Sequence, residues 1–268
     1  MTDADAIAGA GHAKLPGDGL TPESPAAPEP SPPAVAGDER VMSLVDHLAE
    51  LRSRVIRVII VVVLCSLVGF WAAPTIRDFL IRPLPTGQVQ VLSPGEGFVI
   101  YLKISLVTGI ILAMPLILYQ VWAFVAPGLT RSERRILAPL VVLALLFFAL
   151  GVGLAYFVLP YAIGFLLTFT DDVLVADLAA GPYFDFVTTM FLAFGLLMEF
   201  PIVLFALSRV GIVTSERLAA SRRMAILAIA IFSAAATPGG DLVSPVALGL
   251  TMYALFEATL LVIRRTGR

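Results

Sequence analysis

Residues 131–159 read RSERRILAPLVVLALLFFALGVGLAYFVL, a cluster of arginines followed by a long apolar run. An α-helix rises about 1.5 Å per residue, so this run can cross the roughly 30 Å hydrocarbon core of a bilayer. Similar runs recur along the chain, and only the fifth is short. They lie at 55–73, 98–124, 136–159, 186–207, 224–236 and 242–263. The sequence therefore predicts an all-α membrane protein with six transmembrane helices.

The arginines indicate how these helices are oriented. Clusters stand before the first run and after the second, fourth and sixth, whereas 160–185 and 237–241 contain no Lys or Arg and the first loop holds only Arg77 and Arg82. The clusters are Arg52, Arg54 and Arg57; Arg131, Arg134 and Arg135; Arg217, Arg222 and Arg223; Arg264, Arg265 and Arg268. By the positive-inside rule, both termini are predicted to be cytoplasmic.

The overall composition also indicates a lipid environment. Hydrophobic residues make up 59% and charged residues 14% of the chain, and its mean hydropathy is +0.94, whereas soluble domains are about 45–50% apolar and 25% charged. The formal net charge of −2 gives no sign of a nucleic-acid surface. The single cysteine, Cys65, excludes an intramolecular disulfide.

The first 41 residues differ from the rest, because they are rich in Pro, Ala and Gly and nearly free of aromatic residues. Such a composition predicts a disordered tail. Residues 42–266 contain all six apolar runs with short connections, and we expect them to form one membrane domain.

A short amphipathic helix is predicted just before the first span. Ser43 and Asp46 have the spacing of a capping box, and Glu50 and Arg54 stand four residues apart on its polar face. Such a pair stabilises a helix by only about 0.2–0.5 kcal/mol. The pattern fits a solvated interfacial helix, and it also fits a functional cytoplasmic surface.

Two further acidic residues need an explanation. Thr130 and Glu133 form a second capping-box pattern, so Glu133 is either a structural cap or a binding group held beside a rigid Pro-Gly turn. Glu199 lies near the middle of the fourth run, where an ionised side chain costs several kcal/mol. Pro201 leaves a backbone carbonyl free nearby. Glu199 is either a protonated acid bonded to a neighbouring helix or part of a polar groove that a partner contacts.

Taken in order, these motifs resemble the TatC family, the multispanning subunit of the twin-arginine protein translocase. The resemblance rests on HLAELRSR at 47–54, YQVWAFVAPGL at 119–129 with ERR at 133–135, EFP at 199–201, and TP at 237–238 with Asp241. It covers about 42–265, and the N-terminal tail lies outside it.

The resemblance implies a function that composition and spacing alone do not give. A family member is expected to bind signal peptides with two consecutive arginines and to pass folded proteins across the cytoplasmic membrane of a prokaryote, using the protonmotive force. Implied partners are single-span subunits of the TatA and TatB type, membrane lipids, and further copies of the chain within a larger complex. No cofactor or metal is implied.

The resemblance also implies which residues carry the function. A carboxylate suits a guanidinium group because two parallel hydrogen bonds can form, which a lysine cannot reproduce. Glu50 and Glu133 are therefore the expected arginine acceptors. The family also assigns a signal-binding surface to Leu51, Arg52 and Phe124, a partner-helix contact to Glu199, and further functional positions to Pro83 and Asp241.

Two other classes of protein share some of these features. A proton-coupled secondary transporter of a small solute would also carry an intramembrane acid near a proline, but the spans show no obvious internal repeat. An enzyme is disfavoured because His12 and His47 both lie outside the apolar runs and no G-x-S-x-G, H-E-x-x-H or phosphate-binding glycine motif occurs.

Overall fold

A computed structural model describes residues 44–84, 87–169, 178–211, 213, 215–237 and 240–265. The predicted disordered tail lies outside these residues and stays a prediction. The described residues form α-helices joined by short connections. These are α1 (Leu44–Ile81), α2 (Glu96–Val125), α3 (Arg131–Leu137), α4 (Leu140–Leu167), α5 (Ala180–Leu197), α6 (Phe200–Arg209), α7 (Ser215–Ala220), α8 (Arg222–Ala236) and α9 (Val243–Arg265), with a 3-10 turn at Ala126–Gly128.

Five helical stretches are long and apolar enough to cross a membrane. They are His47–Ile81, Glu96–Gly128, Arg131–Leu167, Ala180–Arg209 and Val243–Arg265. The predicted all-α membrane fold is confirmed. The remaining predicted crossing corresponds to α8, whose 15 residues give only about 22 Å of helix. This segment is short, as its apolar run predicts, so the count of six crossings stays a prediction.

Several helices extend beyond the apolar runs in the sequence. The amphipathic segment is continuous with the first span, so both form α1, which runs through Pro74 to Ile81. Helix α4 likewise passes through Pro160 and ends at Leu167. A proline removes one helical hydrogen bond but does not always end a helix when its neighbours support it. The connections are therefore shorter than the apolar runs indicate.

Helices α1 and α2 pack closely along their length through small residues. A Cβ atom added to Gly109 of α2 would lie 2.6 Å from the backbone nitrogen of Ser66 on α1. A Cβ added to Gly69 would lie 2.7 Å from the carbonyl oxygen of Ser105. Small residues spaced four apart let two membrane helices approach in this way. The start of α1 is thereby held beside the end of α2. We call this end, which carries Arg52 and Arg54 on α1 and Arg131 just after α2, the basic end of the molecule.

The core lies between α4, α5 and α9. Its largest buried side chains include Phe148 of α4, Phe194 of α5 and Leu248 of α9. A Cβ on Gly195 would lie 2.6 Å from the Phe148 ring, so glycine admits the aromatic side chain there. At the end opposite the basic end, Glu96 accepts hydrogen bonds from the backbone of Ser93 (3.2 Å) and Gly181 (2.7 Å) and joins the start of α2 to that of α5.

Candidate functional site

The basic end holds a carboxylate paired with an internal arginine. Oε1 of Glu50 accepts hydrogen bonds from Nε (3.0 Å) and Nη2 (2.5 Å) of Arg54, one turn further along α1. Nη1 of Arg54 donates to the side-chain oxygen of Gln120 on α2 at 3.1 Å. The exposed fractions of the Arg54 and Glu50 side chains are 17% and 22%. The pair is therefore mostly shielded from water, unlike the solvated pair that the sequence pattern allows.

An aromatic stack completes this cluster. The rings of His47 and Phe124 lie 4.3 Å apart with an angle of 14° between them, which joins α1 to α2 a second time. Nδ1 of His47 is 3.9 Å from Oε2 of Glu50. That oxygen is buried, and it has no hydrogen-bond partner within the described part of the chain. The cluster therefore contains a buried acceptor oxygen that has no donor among the described residues.

The other residues expected at this surface lie around the same ends of α1 and α2. Leu51 is 38% exposed and Arg52 is exposed as well, so both face away from the Glu50–Arg54 pair. Phe124 is half-buried in its stack with His47. The structure thus brings Glu50 and Phe124 into one cluster and leaves Leu51 and Arg52 on an adjoining exposed face.

Glu133 has the capping role that its spacing predicts. Its Oε2 accepts a hydrogen bond from the Thr130 amide at 3.0 Å, and its own amide donates to Oγ1 of Thr130 at 3.4 Å. Arg134, the next residue, lies over the ring of Trp122 at 5.4 Å. The capping box is confirmed, and the half-buried carboxylate stands close in sequence to the α2 end that carries Phe124. Its role as an arginine acceptor stays a prediction.

Glu199 lies where the fourth span breaks. Helix α5 ends at Leu197 and α6 begins at Phe200, so the fourth predicted span is interrupted just before Pro201, whose ring cannot continue the helical hydrogen bonding. Glu199 is half-buried, and its Oε1 atom is buried without a hydrogen-bond partner among the residues that the structure describes. An unsatisfied polar atom inside the membrane is costly, which favours a polar contact supplied from outside these residues.

The remaining expected positions lie away from the Glu50 cluster. Asp241 is 4% exposed, and its Oδ1 caps the start of α9 by accepting a hydrogen bond from the Ser244 amide at 2.6 Å. Pro83 lies in the turn after α1, which is closed by a hydrogen bond from the Leu84 amide to the Ile81 carbonyl at 2.9 Å. Asp241 therefore caps α9, while its second oxygen, Oδ2, is buried without a hydrogen-bond partner among the described residues. The functional roles expected for Pro83 and Asp241 stay predictions.

Sequence reasoning missed several polar contacts between helices, including the following three. Gln120 binds Arg54, Lys103 of α2 pairs with Asp185 of α5, and Arg222 of α8 pairs with Glu257 of α9 at 2.9 Å. A charged residue in an apolar run needs a partner, so the positions of Lys103 and Glu257 in the sequence could have predicted that each forms a polar contact. Gln120 also stands in an apolar run, but its local sequence does not identify its partner. The described residues contain no group of three His, Cys, Asp or Glu side chains that could hold a metal ion.

Comparisons with known proteins agree with this architecture. A model of the TatC family, described as Sec-independent protein translocase protein (TatC), matches residues 46–250. A TatC protein from Desulforapulum autotrophicum is 35% identical over 237 residues, which are 86% of this chain and 87% of that protein. One from Aquifex aeolicus is 37% identical over 82% of this chain and 93% of its own length.

A solved structure shows the same fold. A crystal structure of the twin arginine translocase receptor TatC, in the detergent DDM, superposes with a TM-score of 0.72 at 36% identity. The match covers 81% of this chain and 99% of that one. The chain belongs to the TatC family of Sec-independent protein translocase proteins.

Proposed function

We propose that this protein is the signal-peptide receptor and core subunit of a twin-arginine translocase. It binds signal peptides with two consecutive arginines at the basic end and passes folded proteins across the cytoplasmic membrane of a prokaryote, using the protonmotive force. TatA- and TatB-type single-span subunits and further copies of the chain complete the machine. The observation that carries the proposal is the shielded Glu50 carboxylate, whose Oε2 atom lacks a donor within the described residues.

The acceptor chemistry supports arginine as the ligand. Glu50 supplies a carboxylate near the start of α1, and Glu133 supplies another shortly after the end of α2. The exposed arginines Arg52 and Arg131 lie next to them in the sequence. The surrounding positive charge disfavours a basic peptide unless specific acceptors offset it. A guanidinium group can form two parallel bonds to a carboxylate, whereas an ammonium group is a point donor. The two acids therefore favour a pair of arginines over a pair of lysines.

The proposal is tested by direct binding to the purified full-length protein in detergent. The ligands are a fluorescent signal peptide with an Arg-Arg pair and the same peptide with Lys-Lys. We expect the Arg-Arg peptide to bind at least about tenfold more tightly, which corresponds to 1.4 kcal/mol. Equal affinity for the two peptides would contradict the proposed recognition.

The orientation of the chain makes a separate prediction. If the arginine clusters are cytoplasmic, residue 172 lies outside the cell and residue 132 lies inside. Single cysteines are introduced as Asp172→Cys and Ser132→Cys in a Cys65→Ser background. A membrane-impermeant thiol reagent is expected to label only the position-172 cysteine in intact cells, and both after lysis. Labelling of the position-132 cysteine alone in intact cells would contradict the predicted orientation.

Glu199 is proposed to contact a transmembrane helix of a partner subunit. Glu199→Ala is expected to weaken the crosslink to a single-span partner and reduce export of a twin-arginine reporter several-fold, because it removes the polar contact inside the membrane. Glu199→Gln should be milder, since an amide keeps its hydrogen-bonding capacity. Thr189→Ala, at an exposed polar position on α5, serves as the control. Full export and unchanged crosslinking in Glu199→Ala would leave the residue with a structural role only.

A further inference from the structure

Arg54 is the internal partner of the carboxylate that is proposed to receive the signal peptide. Both Nε and Nη2 of Arg54 bind the same Glu50 oxygen, Oε1, at 3.0 and 2.5 Å. The second oxygen, Oε2, has no hydrogen-bond donor within the described residues. A carboxylate offers about four acceptor positions. Arg54 therefore uses half of the acceptor capacity of Glu50 and cancels its formal charge.

This arrangement changes the net charge and the free acceptor positions that an incoming cation finds at Glu50. Without Arg54, the full negative charge of Glu50 would attract lysine and arginine equally at long range, and only the two parallel hydrogen bonds of a guanidinium group would favour arginine. With Arg54 bound, the pair is neutral overall, and a second cation must share the carboxylate with a guanidinium group that is already desolvated. Both members are mostly buried, with exposed fractions of 17% and 22%, so water and salt screen their interaction less than at an open surface.

Gln120 gives Arg54 a second acceptor. Its side-chain oxygen binds Nη1 of Arg54 at 3.1 Å from the neighbouring helix. When an incoming group takes over part of Glu50, Arg54 keeps this hydrogen bond to a neutral acceptor and keeps a share of the carboxylate, so it does not become a buried charge without any partner, which would be strongly unfavourable. The Glu50–Arg54 contact can therefore be exchanged at a moderate cost.

We propose that Arg54 is a specificity-determining residue that competes with the signal peptide for Glu50, and this inference rests on the receptor function proposed above. An incoming arginine carries the same forked donors as Arg54 and can replace its bonds to the carboxylate. A lysine offers a single charged point with a larger desolvation cost and loses this competition. Arg54 thus raises the discrimination between arginine and lysine by weakening the binding of lysine most.

The test compares Arg54→Gln with Arg57→Gln in the full-length protein. Arg57 lies one turn further along α1, is exposed, and donates to Oγ of Ser53 at 3.0 Å. The control therefore removes the same formal charge from the same helix without touching Glu50. Affinities for the Arg-Arg and Lys-Lys peptides are measured for the wild type and both variants, together with the thermal unfolding midpoint.

The proposal predicts that Arg54→Gln strengthens Lys-Lys binding about tenfold and Arg-Arg binding less, so that the affinity ratio falls. Arg57→Gln is expected to shift both affinities by the same factor and to keep the ratio. Arg54→Lys retains a cation beside Glu50 without the fork, and its ratio should lie between those of the wild type and Arg54→Gln. An unchanged affinity ratio in both Arg54 variants would overturn the proposal. Weaker binding of both peptides to Arg54→Gln would overturn it as well.

Failure of this inference can be told apart from failure of the receptor function. If the wild type does not distinguish the two peptides, the proposed function itself fails. If the wild type prefers Arg-Arg and Glu50→Gln abolishes that preference while Arg54→Gln keeps it, Glu50 is the acceptor and Arg54 is only its structural partner. Arg54→Lys keeps the test decisive if Arg54→Gln does not fold, because it preserves a buried cation next to the acid.

Discussion

Replacing Gly109 by leucine is expected to destabilise the fold strongly. The position lies where α2 touches α1, and a Cβ atom there would lie 2.6 Å from the Ser66 amide nitrogen and 2.7 Å from its Cα atom. These are backbone atoms, so the clash cannot be relieved by turning a flexible side chain. We expect the loss of unfolding free energy to reach the upper end of the ~1–3 kcal/mol that overpacking typically costs.

The measurement is the unfolding midpoint of the purified protein in detergent, which is monitored as the loss of monodispersity on heating. Gly153→Leu is the matched control, because Gly153 is also helical and no atom lies within 4 Å of a Cβ placed there. That variant should stay within about 0.5 kcal/mol of the wild type. Similar midpoints for the two variants would show that α1 and α2 can separate without cost.

A separation of α1 from α2 has a functional consequence. The Arg54–Gln120 bond and the His47–Phe124 stack both join these two helices at the basic end. Pushing the helices apart near Gly109 is therefore expected to disturb the Glu50 cluster as well. The tight glycine contact supports the geometry of the proposed binding site from within the membrane.

Much of the architecture follows directly from local patterns in the sequence. Long apolar runs set the spans, because only helices with satisfied backbone groups are stable in lipid. The Thr130–Glu133 spacing predicted a capping box that the structure shows, and Pro201 predicted a free backbone carbonyl close to the place where the fourth span breaks, after Leu197. Each of these features depends on residues within a few positions of one another.

The parts that were not predicted depend on contacts between distant residues. Gln120 lies 66 positions from Arg54, and although it stands in an apolar run, nothing in its local sequence identifies Arg54 as its partner. The i,i+4 pattern predicted the Glu50–Arg54 pair but not its burial, which arises from the cover that α2 provides. A periodicity argument places a residue on a helix face, and the packing partner of that face decides whether water reaches it.

The second large effect is expected at the two acidic residues proposed to bind arginines. Glu133→Gln keeps the capping box, because the amide oxygen can still accept the hydrogen bond from the Thr130 amide. It removes the negative charge that would attract a guanidinium group. We therefore expect a folded protein that binds the Arg-Arg signal peptide about tenfold or more weakly, since a charge-assisted bond contributes ~1.5–3 kcal/mol.

Glu50→Gln is expected to weaken peptide binding by a comparable factor. If the two acids hold different arginines, the losses of free energy in the double variant should add, because independent sites are additive to within about 0.5 kcal/mol. Glu216→Gln provides the control, since Glu216 is an exposed acid in the first turn of α7. It changes the net charge equally and should leave peptide affinity nearly unchanged.

The pattern across these variants separates a structural acid from a binding acid. A purely structural Glu133 would give wild-type affinity in Glu133→Gln, because its cap survives the substitution. A general electrostatic effect would weaken binding to the same extent in Glu216→Gln. Wild-type affinity in both Glu50→Gln and Glu133→Gln would exclude carboxylate docking of the signal arginines, and the acceptor would then have to be sought elsewhere than in these two side chains.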